Sequence, residues 1–396
     1  MKATVKILIL ASLSVAVALG VTARPGQDTP RPSAGHAAAH TGAQSRKPVK
    51  LLGAILAPGN PLRFDISWAD QKTARYYLAD AGNASVDIVD AKNDLFLGRI
   101  TGFHGGGTPG DGCGGPEGMG PSGVVVTPDN HLWADDAQGI VKVFDLTNAE
   151  PPFNLSPIAT ISTGAQCRAD EIGFDPKDHV IMVGNPGEHP PFAALISSDA
   201  PFTLLGKIPF DDATGLEQPL WDGELKGGRM LVTVRGNGNA GFVAVINLKD
   251  PKTPVIETTY PTPNCGPGGL ALGPSQHLLV GCSRGQPVLI LNALNGQLIK
   301  TVPEIHGADE VWYNSVDGLF YAPSGFGADP AVGIIDATTN TFLQSVSSGA
   351  GAHSVASFGD RTFIPFGPPT ATAAIDPCNS IFGFPVKQGC IAVYGH

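Results

Sequence analysis

Two tripeptides carry the densest chemistry in the sequence: Ala169-Asp170-Glu171 and Ala308-Asp309-Glu310, each directly ahead of a short apolar run. Crowded carboxylates are costly unless something neutralises them. Oxygen ligands suit a hard divalent cation. Asp65, Glu171 and Glu310 are therefore candidate metal ligands for one divalent cation, Ca2+ first and otherwise Mg2+, Zn2+ or Mn2+. Arg168, His104 and Asp170 are candidate ligand-binding residues beside it. His353 and His306 are candidate general acids or bases, because an imidazole near carboxylates titrates close to neutral pH, and Asp309 would orient the ring. The same acids also fit a structural use, as acceptors for backbone N–H groups or as partners of Arg168, Arg235 and Arg284.

Other chemistries lack their residues. The Gly-rich stretch from His104 to Gly123 has no Gly-Lys-[Ser/Thr] ending, so it is no phosphate loop. No Gly-x-Ser-x-Gly is present. No Cys-x-x-Cys spacing occurs, which removes thioredoxin-like, zinc-ribbon and c-type haem readings. There is no haem, nucleotide or quinone signature. Whether any reaction is catalysed stays open at this level.

The elements that must position these residues repeat. Segments 62–91, 120–146, 168–199, 216–248, 266–294, 307–340 and 351–396 each read as a short apolar strand, a tight turn, a second strand, a variable loop and a third strand. A weaker fourth strand often follows, as in "FLGRI" and "QLIKTV". The spacing is about 41 to 58 residues, that of a propeller blade. The expectation is an all-β, seven-bladed β-propeller with four antiparallel strands per blade. The last unit lacks a fourth strand, and "LLGAILA" (51–57) has no unit of its own. It is expected to complete the last blade and close the ring, removing open sheet edges.

Blade topology sorts residues by face. The first turns are short, such as "TPDN", "DPKD" and "GPSQ", whereas the opposite face carries the insertions at 103–121, 185–191, 323–331 and 366–389. Insertions gathered on one face mark a binding face. His131, His179 and His277 recur at one position on the short-turn face and read as structural. His104, His189, His306 and His353 fall on the long-loop face. Direct alignment of the first-strand starts pairs Phe64-Asp65 with Ser122-Gly123, Asp170-Glu171, Gly268-Gly269, Asp309-Glu310 and His353-Ser354. The fourth unit aligns poorly, near Gln218-Pro219. This alignment puts the Ala-Asp-Glu pairs at equivalent places in blades three and six, at the channel mouth. Six cysteines then pair as 113–167, 265–282 and 378–390.

The stretches "YYLADAGNASVDIVDAKND" and "LFYAPSGFGADPAVGIIDATTNT" resemble YVTN-type blades, and "PSGVVVTPDNHLWADD" resembles an NHL-type blade. The resemblance covers 51–396 and implies a seven-bladed propeller. In outline it is also similar to gluconolactonase-like propellers, which implies a metal at the channel mouth polarising a lactone or ester carbonyl.

The bulk numbers agree with a compact β protein. The chain has 396 residues, 51 Gly and 35 Pro, with 15% charged residues and a formal net charge of −10. An acidic, sparsely charged surface is a poor match for nucleic acid or anionic membranes. Lys2 and Lys6, the apolar run 7–19 and small residues to Ala23 read as a signal peptide over 1–23. Residues 24–50 read as a linker, and 51–396 as the propeller. The chain is thus expected to be secreted or periplasmic and monomeric, with no nucleic-acid partner and no membrane contact after cleavage. Its expected function is binding of a small molecule or polymer end at the long-loop mouth, through a divalent metal. The alternative is a metal-dependent hydrolase (lactonase- or esterase-like) or lyase at the same mouth.

Overall fold

A computed structural model describes residues 47–106, 113, 119–238, 240–326, 329–369 and 377–396. The signal-peptide segment, the linker up to residue 46 and most of the Gly-rich loop lie outside these residues. Lys47–His396 forms one compact unit.

The described strands form seven four-stranded antiparallel sheets. Blade 1 starts with an inner strand at Phe64–Asp70, and the inner strands of blades 2 to 6 are Val124–Val126, Ile172–Asp175, Gly215–Asp222, Pro267–Leu272 and Trp312–Asn314. Blade 7 contains Ala356–Phe358, Arg361–Phe366 and Cys390–Gly395. Its fourth strand is Lys50–Ile55, which pairs antiparallel with Cys390–Gly395 from Lys50 opposite Gly395 to Ile55 opposite Ile391. The ring is closed as the sequence predicts. Order begins slightly earlier: Val49 is already buried in the core of this blade, and its carbonyl accepts a hydrogen bond from Gln344 Nε2 at 2.8 Å.

Burial follows position within the blade. The second strand of blade 3, Val180–Asn185, is buried throughout, because both of its faces pack on neighbouring blades. The fourth strand of blade 6, Thr341–Ser347, alternates exposed and half-buried, the period-2 signature of a rim strand. Asp side chains fix the short turns; Asp175 Oδ1 accepts from the backbone N–H groups of Lys177 and Asp178. Inner strands of adjacent blades are also bonded directly: Ile66 N donates to Ser122 O, Gly269 N to Asp309 O and Glu310 N to His353 O.

All three expected disulfides form, Cys113–Cys167, Cys265–Cys282 and Cys378–Cys390. Each constrains the open chain by roughly 2–4 kcal/mol. The three structural histidines sit where the repeat puts them. His131 Nδ1 lies 2.7 Å from Asp129, His179 Nδ1 3.1 Å from Asp199, and His277 Nδ1 3.0 Å from the Ala337 carbonyl. No helix among the described residues is long and apolar enough to cross a membrane.

Candidate functional site at the channel mouth

Strand pairing sets the level of each mouth residue. Ser67 faces Leu78, Ile172 faces Val183, Pro219 faces Val232 and Leu270 faces Val280. Two residues before these lie Asp65, Asp170, Glu217 and Gly268. By the same register Ser122, Asp309 and His353 occupy this level in blades 2, 6 and 7. The next level down holds Ile66, Gly123, Glu171, Gln218, Gly269, Glu310 and Ser354. Asp65 therefore stands level with Asp170 and Asp309, one step above Glu171 and Glu310, which corrects the direct alignment. The cause is a register shift between Phe64 and Ser67. A matching shift between Leu216 and Pro219 hid Glu217 from the repeat. That shift is the physical reason sequence reasoning missed the fourth acid.

The upper ring holds four carboxylates and is braced by cations. Arg168 Nη1 lies 2.6 Å from Asp65 Oδ2 and 3.1 Å from Ser122 Oγ, while its Nη2 lies 2.8 Å from Asp170 Oδ2. Arg235 does the same across the ring, with Nη1 2.9 Å from Glu217 and Nη2 3.1 Å from Asp309. Arg168 is held from behind: its neighbour Cys167 is disulfide-bonded, and the N–H groups of Gln166 and Cys167 donate to Glu188 Oε1 in the 185–191 insertion.

His353 is the third group that braces the ring. Its ring is sandwiched between Phe64 (centroids 4.7 Å apart) and Phe326 (5.4 Å). Nδ1 lies 2.6 Å from the Gly351 carbonyl and donates to it, and Nε2 lies 3.5 Å from Asp65 Oδ1. Burial opposes its charge, but Asp65 outweighs burial and the imidazole pKa is raised. Burial likewise opposes ionisation of Asp65, yet Arg168 and His353 hold its carboxyl below the usual value. Burial pushes Glu217 up to about 7, against the pull of Arg235.

The lower level is different. Glu171 and Glu310 are 3% and 4% exposed, come from blades on opposite sides of the ring, and each perturbs the ionisation of the other. Burial first, and then neighbouring carboxylates, raise both well above the ordinary glutamate value. Such burial beside like charge favours the protonated form of these glutamates. Glu171 Oε2 and Glu310 Oε1 lack hydrogen-bond partners.

The candidate residues thus separate. Asp65, Arg168, Asp170, Asp309 and His353 share one ring, and Glu171 and Glu310 form a pair beneath it. His306 is exposed at the end of the fourth strand of blade 5, and Asp309 gives its Oδ1 to Arg235 rather than to that histidine. His104 is exposed, and its backbone N–H donates to Asp136. Among the described residues, no three His, Cys, Asp or Glu side chains converge as metal ligands.

Beside the ring, on the long-loop face, lies a pocket of about 580 Å³ lined by Arg235, Ser283, Arg284, Gln286, Asp309 and Phe326 among others. The Arg284 guanidinium lies 4.0 Å over the Phe326 ring. Gln286 Oε1 accepts from Gly266 N at 2.6 Å, which fixes its amide at the pocket wall. Arg284, named in sequence only as a partner for the acids, stands apart from them, since it makes no ion pair among the described residues.

No protein-family model matches the chain. No curated protein matches it either. Solved structures do. It is similar to a chain of a mitotic checkpoint complex (TM-score 0.58, 14% identity, covering 87% of this chain and 96% of that one). It is also similar to U3-55K (0.59, 11%, 88% and 98%) and to the RRP9 WD40 repeats (0.58, 11%, 88% and 97%). At these identities the likeness shows the fold alone: this chain is a seven-bladed β-propeller.

Proposed function

We propose that this protein is an exported binding module that holds a carboxylate-bearing small molecule or polymer end at the long-loop mouth. The observation that carries the reading is Arg284, stacked on Phe326, without an ion pair among the described residues, and facing the same pocket as Arg235. A planar guanidinium fixed on an aromatic ring is pre-organised for bidentate carboxylate recognition. The mouth acids are answered by Arg168, Arg235 and His353, so the ring works as a rigid wall. His353 spends Nδ1 on a backbone carbonyl, which suits a positioned cation better than a base. Three disulfides agree with an oxidising compartment and hence with export. The blades keep their YVTN-like and NHL-like sequence character in this reading.

The test is calorimetric titration with citrate and with trigalacturonic acid, a small carboxylate and a polymer end. One site is expected for at least one of them, weakened tenfold or more by Arg284→Ala. Absence of binding by both, or equal binding by the variant, would reject the reading.

A second reading places a divalent cation at Glu171 and Glu310, and is favoured by their unpartnered buried oxygens. In that reading Glu171 and Glu310 would hold the cation, which would polarise a ligand carbonyl as a hydrolase or lyase requires. Elemental analysis of the purified protein separates the two readings.

A further inference from the structure

The channel has a second mouth on the short-turn face, and its chemistry is opposite. Below the Glu171–Glu310 pair the inner strands bound a cavity of about 490 Å³ that also reaches Pro128 and Pro176 in the short turns. Trp68, Phe174, Leu220, Trp221, Trp312 and Tyr313 line it, and each of the six is only half-buried. They come from blades 1, 3, 4 and 6. Trp68 and Trp312 meet edge to face across the front of blade 7, with centroids 5.8 Å apart. No ionisable acid or base other than the phenol of Tyr313 lines the cavity, although the chain carries a formal charge of −10. Two of its polar side chains are engaged, Ser67 Oγ accepting from Ser354 and Gln218 Oε1 from Leu270 N, whereas among the described residues the buried Trp221 Nε1 has no hydrogen-bond partner.

We propose that this cavity is a binding site for a neutral, ring-bearing apolar small molecule. Five aromatic rings left half-exposed in one concavity are a large apolar area to leave in water. Stacked or edge-on contacts with a ring would cover them. The volume lies in the range of small-molecule sites, and walls from six blades enclose a compact guest rather than a flat protein surface. The absence of lining charge selects against ions. The site lies on the face opposite the carboxylate pocket and stands independently of it.

The probe is N-phenyl-1-naphthylamine, which is neutral and brightens in apolar surroundings. Three of the four tryptophans line the cavity, whereas Trp133 is fully buried elsewhere. Saturable 1:1 binding with quenching of tryptophan emission is expected. Leu220→Asp should weaken it at least tenfold, while the same change at exposed Leu95 on the rim of blade 1 should leave it unchanged. Trp221→Ala serves if Leu220→Asp does not fold, with the same loss expected. Absence of saturable binding by the folded wild type overturns the proposal. So does equal affinity in a folded cavity variant, which would mark an adventitious surface site.

Discussion

The two mouths of one channel are built from the same seven inner strands, yet they solve burial in opposite ways. At the long-loop end, four carboxylates are placed in a ring and answered by two guanidiniums and an imidazole. At the short-turn end, three residues further along the strands, the side chains are aromatic and the charges stop. The difference teaches where each end stores its stability. The charged end is over-determined, because each cation touches two or more groups. The aromatic end leaves its rings half-exposed, so its residues are freer to serve a ligand. Substitutions at the first end should therefore cost stability, and substitutions at the second should cost binding.

The largest effect is expected at Arg168. Arg168→Ala strips Asp65 and Asp170, which is 2% exposed, of their shared cation. Leaving buried carboxylates unpaired costs about 3–5 kcal/mol, to be read as a shift in denaturant midpoint. A loss below about 1 kcal/mol would mean that the ring is not what secures this mouth.

Next in size is the pH dependence. Glu217, at about 7, and the Glu171–Glu310 pair have folded pKa values above the ordinary 4.5. Their contribution to stability is full below about 4.5 and is lost as pH rises through the folded values. His353, raised above 6.5, acts in the same direction, since its contribution is complete below 6.5 and disappears above its folded pKa. Asp65, lowered from 3.8, acts oppositely but only at strongly acidic pH. The melting temperature should thus fall by roughly 5 °C between pH 5 and 8. Glu171→Gln combined with Glu310→Gln should flatten that slope. A melting temperature that rises over this interval would contradict the raised values of these buried glutamates.

The smallest stability effects belong to the ligand-facing residues. Arg284→Ala and Leu220→Asp should each change stability by less than about 1 kcal/mol, because both side chains are partly exposed. Each should abolish or weaken binding at its own mouth and spare the other. A variant that disturbs both mouths would show that the channel is one site rather than two.

Much of this was legible in the sequence. Seven units, the closing strand and all three disulfides follow from the repeat, because turn chemistry and strand period are local signals. The grouping of Asp170 and Asp309 was legible too, since Ala-Asp-Glu recurs at the same strand start. Register was not. The shifts at Phe64–Ser67 and Leu216–Pro219 move a residue by one level without any sequence marker, which misplaced Asp65 and concealed Glu217. The partners of His353 were equally hidden: Phe64 and Phe326 lie 289 and 27 positions away, the first brought near by ring closure and the second by the packing of adjacent blades. The aromatic mouth escaped notice because Trp68, Phe174 and Trp312 read individually as core residues.

The most direct test of the account is the metal content of the purified protein by elemental analysis, with melting recorded with and without a chelator. If the mouth carboxylates are neutralised by Arg168, Arg235, His353 and protonation of the buried lower glutamates, no stoichiometric divalent ion is found and the chelator leaves the melting temperature unchanged. One tightly held ion per chain, removed with a clear fall in melting temperature and retained less well by Glu171→Gln, would contradict it and make the lower carboxylate pair a metal site.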